Sequence, residues 1–210
     1  RSSRTFISEG RWDRLRSDLK TGDIVIIQFG HNDGGSINDA SRARGSLPGL
    51  GDESEEIDNQ VTNQKETVHT FGWYVRKMIT DTRERGAWPV LMTLTARREW
   101  RNDIGGKGNG KFNEWMNALA RSEGVPLVDL TALIIHRYEQ MDREAVDALY
   151  PADHVHTGED GARLNAYLAV SGLKGLREQR LLGALSTLGR FVPTTEPSQV
   201  YVPPQPPERG

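Results

Sequence analysis

The 210-residue chain carries 27 Lys and Arg against 29 Asp and Glu, a net charge of −2 that leaves no basic footprint for nucleic acid or an anionic membrane surface. It has no cysteine, which excludes disulfides, zinc–thiolate sites and a thiol nucleophile. No apolar run approaches the ~20 residues of a spanning helix, yet a hydrophobic share of 36% is enough for one domain with a core.

Residues 9–20 have helical spacing, with Trp12, Leu15 and Leu19 on one face, and Lys20-Thr-Gly-Asp23 stops them. The continuous run 24–29, Ile-Val-Ile-Ile-Gln-Phe, predicts a strand buried on both faces. Gly30 closes it, and the polar cluster His31-Asn32-Asp33-Gly34-Gly35 follows. Residues 34–65 are rich in Gly, Ser, Asp and Asn and read as a long surface excursion. Helical spacing returns over 66–85, where Val68, Phe71, Val75, Met78 and Ile79 share a face and Gly86 ends the helix.

Residues 89–95 predict a second strand, 101–110 a Gly-rich loop, and 111–123 a helix with Phe112, Trp115, Met116 and Leu119 inward. Val125–Leu130 predicts a short third strand, and 131–149 a largely helical stretch. Tyr150-Pro-Ala-Asp-His-Val-His156 leads into a helix that Thr157 could N-cap, with Asp160 at the capping-box position. Leu164, Leu168, Leu173 and Leu176 carry it toward residue 184. Residues 192–210 hold six of the ten prolines, which predicts an extended or disordered tail.

Helices alternating with strands argue for an α/β fold with a parallel sheet flanked by helices. Ligands of such sheets bind at the carboxyl ends of the strands. His31–Gly35 lies at one such end and Thr95–Trp100 at the next.

Two clusters could carry chemistry. In Asp153-His-Val-His156 the carboxylate sits three residues before an imidazole, close enough in a loop to reach its Nδ1. It would then fix the tautomer and leave Nε2 as a general base. The same residues could instead be a polar helix-capping loop. They could also offer His154, His156 and Asp153 to a metal, with His31 or Asp33 as a further ligand. In Gly30-His31-Asn32-Asp33 a side-chain amide at a strand end could donate to an oxyanion, where one such bond is worth ~3 kcal/mol. Asn-Asp-Gly-Gly is equally ordinary turn chemistry.

Taken in order, these pieces resemble the SGNH (GDSL-type) hydrolases. Phe29-Gly-His-Asn-Asp33 is similar to the third block of that superfamily, and Asp153-His-Val-His156 to the fifth. Arg1-Ser-Ser-Arg-Thr-Phe6 with Glu9-Gly-Arg11, and Leu94-Thr-Ala-Arg-Arg98, resemble its rhamnogalacturonan acetylesterase branch. The resemblance runs to about residue 180. It implies a flavodoxin-like three-layer sandwich over residues 1–185, with a Pro-rich tail over 186–210. It also implies an esterase that removes acetyl groups from a pectin or rhamnogalacturonan-type polysaccharide. His156 would be the base, Asp153 its orienting carboxylate and Asn32 the oxyanion donor. His154 would be structural. Arg97 and Trp100 would lie near the sugar, with Trp100 able to stack on a ring. No cofactor, metal, nucleic acid or membrane is implied, and the polysaccharide substrate points to secretion.

The family's nucleophile lies in a Gly-Asp-Ser block, and its second block supplies a glycine N–H. No Gly-Asp-Ser occurs in the 210 residues, and Ser2, Ser3 and Ser8 follow no buried strand. The chain opens on Arg1 with no visible leader. The expectation is therefore a chain without the family's strands 1 and 2, catalytically silent by itself. Its sheet order 2-1-3-4-5 would be reduced to 3-4-5, with Ile24–Phe29 as a hydrophobic edge open to self-association. A carbohydrate-binding pseudoenzyme and a metal-dependent hydrolase are the alternatives.

Overall fold

Ser2 starts the first helix: its hydroxyl accepts the Thr5 N–H at 3.1 Å, and α1 runs Ser3–Ser8. The computed structural model describes residues 1–100 and 110–204, and the chain divides into two units, Arg1–Val90 and Leu91–Gly210.

In the first unit α2 spans Arg11–Asp18, shorter than the predicted 9–20. Trp12 is its one buried residue, while Leu15 is 38% exposed. The Trp12 indole N–H donates to Asp81 at 2.6 Å, so its polar edge is satisfied inside the core. Strand β1 is Ile24–Ile27, and it is not buried on both faces as its composition predicts. Val25 and Ile27 are buried but Ile26 is 46% exposed. Among the described residues β1 has one strand neighbour, β4 (Trp88–Met92). The chain enters that pairing through the Trp88 N–H to the Asp23 carbonyl at 2.7 Å.

The polar stretch 34–65 is not all loop. Strands β2 (Ser54–Asn59) and β3 (Gln64–His69) form an antiparallel hairpin with Ser54 opposite His69 and Asn59 opposite Gln64. The Asn59 Oδ1 accepts the Val61 and Thr62 N–H groups at 2.9 and 3.2 Å, and this Asx-turn reverses the chain. Val68 therefore belongs to β3 rather than to the helix that follows. Helix α3 runs Phe71–Glu84, with Thr70 as N-cap accepting the Trp73 N–H at 3.1 Å. Such a cap contributes about 1 kcal/mol. Phe71, Val75, Met78 and Ile79 lie on its buried face, as their spacing predicts.

In the second unit the end of β4 pairs in parallel with β5 (Leu127–Val128), Leu91 opposite Leu127 and Met92 opposite Val128. Helix α4 is Gly110–Ser122; Met116 and Leu119 are buried, whereas Phe112 and Trp115 are half-buried and meet edge to face at 5.1 Å. Of the predicted Gly-rich loop 101–110, residues 101–109 lie outside the described residues. Asp129 ends β5 and caps α5 (Leu130–Tyr138) through the Ala132 N–H at 3.1 Å, so the predicted stretch 131–149 begins with a capped helix. It then breaks before α6 (Arg143–Ala148).

Helix α7 spans Glu159–Gly175 with Gly158 at its N-cap, so the predicted capping role of Thr157 is not taken up. Arg177, with φ 55°, interrupts the helical run before α8 (Gln179–Ala184). Helix α7 packs against β5 and α5, and Gly172 is what allows it. A Cβ there would sit 2.3 Å from Val128 Cγ1 and 3.1 Å from Leu133 Cδ1. Helix α9 (Thr187–Phe191) precedes the Pro-rich stretch, and within that stretch β6 (Val200–Tyr201) pairs antiparallel with β5. The predicted class, α/β with a mostly parallel sheet, is the one observed.

Candidate active site

The first unit presents Asn32. Gly30 turns the chain out of the strand region with φ 143°, in the left-handed half of backbone space that favours glycine. The Asp33 N–H returns to the Gly30 carbonyl at 3.2 Å, which closes the turn and places Asn32 at its apex. The Asn32 Nδ2 donates to the Arg1 carbonyl at 3.3 Å, and the residue is half-buried.

Asp33, beside it, is 1% exposed. Its Oδ1 accepts the Ser3 N–H at 3.0 Å and also the Ser3 hydroxyl. Burial pushes its carboxyl up to about 6, against the lowering effect of the Ser3 bonds. Arg4 is also fully buried. It forms a two-pronged ion pair with Glu66 at 2.8 and 2.6 Å and donates to the Ile37 and Gly45 carbonyls at 2.7 and 2.8 Å. A lone buried guanidinium would be prohibitive; this one has its charge matched and makes four hydrogen bonds. Neither Asp33 nor Arg4 is legible as buried from the sequence, because both sit in stretches that look like polar loop. A polar recess of about 320 Å³ in this unit, lined by Thr5, Ser8, Asn59, Glu66 and neighbours, contains none of the predicted site residues.

The second unit brings Asp153 and His156 together. The Asp153 Oδ1 accepts the backbone N–H groups of Val155 and His156, each at 2.7 Å, and its Oδ2 meets the His156 Nδ1 at 2.7 Å. The backbone N–H of His156, then its ring, then the N–H of Val155 hold the Asp153 carboxyl below the usual carboxylate range. An ionised carboxylate only accepts, so Nδ1 must carry the proton, and Nε2 of the neutral ring is the basic nitrogen. The His156 side chain is 81% exposed. His154 is exposed and contributes its backbone carbonyl, which accepts the Arg98 N–H at 2.8 Å.

That bond ties the Asp153–His156 loop to the segment after β4. Tyr150 adds a second tie, its hydroxyl donating to the Ala96 carbonyl at 2.7 Å. Trp100 donates its indole N–H to Asp147 at 3.0 Å, and the Arg143 guanidinium lies 4.6 Å over its ring. One face of this indole is therefore occupied by a cation. Arg98 also reaches Asp147, at 3.3 Å. Arg97 is half-buried, with its Nε buried and unpaired. Among the described residues, no group of three or more His, Asp or Glu side chains is arranged to hold a metal ion. No helix among them is long and apolar enough to cross a membrane.

Residues 1–164 match the GDSL-like lipase/acylhydrolase family. A rhamnogalacturonan acetylesterase of Emericella nidulans is 34% identical over 79% of this chain and 66% of its own length. The rhamnogalacturonan acetylesterase RhgT of Bacillus subtilis is 29% identical over 83% of this chain and 71% of its own. The chain thus spans about two thirds of the length of these relatives. The crystal structure of protein YxiM of Bacillus subtilis superimposes with a TM-score of 0.64 at 25% identity, covering 83% of this chain and 43% of that one. The chain belongs to the GDSL-like lipase/acylhydrolase family, in the rhamnogalacturonan acetylesterase-like branch of the SGNH hydrolases.

Proposed function

We propose that this protein serves the deacetylation of a rhamnogalacturonan-type polysaccharide, with His156 as general base, Asp153 as its orienting carboxylate and Asn32 as an oxyanion donor. The observation that carries this reading is the Asp153–His156 contact at 2.7 Å, which fixes the tautomer that a base needs. A serine hydroxyl would attack the ester carbonyl as its proton passes to Nε2. The amide of Asn32 would bond the tetrahedral oxyanion. His156 would then return the proton to the leaving sugar oxygen, and water would release acetate by the same route in reverse.

The assignment names no nucleophile among these 210 residues, which contain no Gly-Asp-Ser. The reading includes Arg97 and Trp100 as sugar contacts. It treats residues 1–185 as the esterase domain and 186–210 as its Pro-rich tail, and it places the protein outside the cytoplasm with its substrate.

The test is acetate release from acetylated rhamnogalacturonan and from p-nitrophenyl acetate, using the protein with any residues its gene encodes before Arg1. His156→Ala is expected to lower kcat by about 10²–10⁴-fold. Full activity in that variant overturns the assignment. A protein that binds pectin tightly yet hydrolyses no ester is a carbohydrate-binding pseudoenzyme instead.

A further inference from the structure

We propose that Asp33 is a positioning residue for the Asn32 amide, acting through the start of α1. The inference rests on the reading of Asn32 as oxyanion donor. The geometry is a short relay. Asp33 holds both the backbone N–H and the hydroxyl of Ser3, at the first turn of α1. Arg1, two residues earlier, offers the carbonyl that accepts the Asn32 Nδ2 at 3.3 Å. Asn32 and Asp33 are adjacent on one turn, so the turn and the Arg1–Ser3 segment are clasped at two points.

The clasp is buried on the Asp33 side and half-open on the Asn32 side. Without the carboxylate the Ser3 N–H would be a buried donor with no acceptor. The segment would then shift, and the Arg1 carbonyl would shift with it. An amide that must meet an oxyanion at about 2.7–3.1 Å tolerates little of that movement.

The buried guanidinium of α1 is not free to neutralise Asp33. Arg4 on α1 is committed to Glu66 on β3 and to two carbonyls. Tyr74 on α3 is close enough to feel Asp33, Arg4 and Glu66, and its own hydroxyl is bound to the His69 N–H at 3.0 Å. His31 is the other titratable group on the same turn. The Oδ2 of Asp33 is buried and makes no hydrogen bond of good geometry, with the Ser46 side chain close enough to favour the charged form. Ionisation of Asp33 thus strengthens the hold on Ser3 while costing desolvation, and the clasp tightens and loosens with its proton.

The experiment follows the Asn32 side-chain amide by ¹⁵N NMR in the full chain from about pH 4.5 to 8, with the resonances assigned by their loss in Asn32→Ala. The expected result is a single step with its midpoint near 6. Asp33→Asn removes the step. Ser3→Ala, which deletes one donor to the charged form, moves the midpoint upward and serves if the Asp33 variant does not fold. Absence of a step in the unaltered chain overturns the proposal. So does its persistence in Asp33→Asn, which would assign the step to His31. In ester hydrolysis by the protein with any residues its gene encodes before Arg1, Asp33→Asn is expected to lower kcat on the order of tenfold at unchanged KM, part of the about 10²–10³-fold cost of a lost oxyanion donor. Unchanged turnover in Asn32→Ala would remove the oxyanion reading by itself, while the NMR step would still decide the clasp.

Discussion

Asp153 grips His156 twice, with Oδ1 on the backbone N–H and Oδ2 on Nδ1, both at 2.7 Å. The backbone bond places the residue and the ring bond chooses its tautomer, so one carboxylate sets both position and protonation. Asp153→Asn keeps the size but can present an N–H to Nδ1, which favours the tautomer with its proton on Nε2. Ester turnover by the gene's full product should fall by about 10²–10⁴-fold with little change in Tm. Unchanged turnover would separate Asp153 from the chemistry.

The buried carboxyl of Asp33 makes a second, thermodynamic prediction. Its folded value, about 6, lies above the ~3.9 of an unfolded chain. Below pH 4 the group is protonated in both states and has no effect. Between about pH 4 and 6 the unfolded chain ionises while the folded state keeps its proton, so stability is lost across that window and stays lost above it. The loss is about 3 kcal/mol. Urea unfolding at pH 4 and pH 7 should show Asp33→Asn gaining on the unaltered protein by about that amount. A pH-independent difference would contradict the burial.

Gly172 predicts a packing effect. Adding one methyl places it 2.3 Å from Val128 Cγ1, on a strand residue that cannot swing away. Gly172→Ala should cost about 1–3 kcal/mol in chemical denaturation despite the higher helix propensity of alanine. A neutral or stabilising result would mean that α7 slides on β5 without strain.

Ile26 is 46% exposed on a strand with one neighbour among the described residues. An apolar edge of this kind pairs with other chains, and a charge on it opposes that. Ile26→Lys should lower the associated fraction in sedimentation velocity at fixed concentration. An unaltered monomer would show that this edge is not sticky.

What the sequence disclosed depended on how local the deciding contacts are. Asp153 and His156 are three residues apart, and the turn between them is Asx chemistry, so their contact could be read directly. Asn32 could be placed at a strand end because the β-branched run before it is unmistakable. The β2–β3 hairpin could not be read, since Ile57 and Val68 are its only apolar residues to be buried. Its pairing is made by backbone bonds and the Asn59 turn. Val68 fell in step with the apolar positions of α3 by coincidence of spacing. Asp33 looked like turn chemistry, and it is a turn residue, but its burial depends on Ser3, thirty positions away. The one-sided burial of β1 is likewise a property of what lies beside it, which its own composition does not encode.

The exposure of the His156 side chain, 81%, bears on the role proposed for it. Opposite unit charges 4 Å apart attract by about 1 kcal/mol in water and about 4 kcal/mol at the effective dielectric near a protein surface. An imidazolium facing open solvent therefore draws little help from its carboxylate. A polysaccharide laid across the ring would expel that water and deepen the attraction as the proton arrives, whereas a small aryl ester would leave it wet. The polymer would act as its own lid, and preference for long substrates would then appear in kcat, from the same surface that looks merely unprotected when empty.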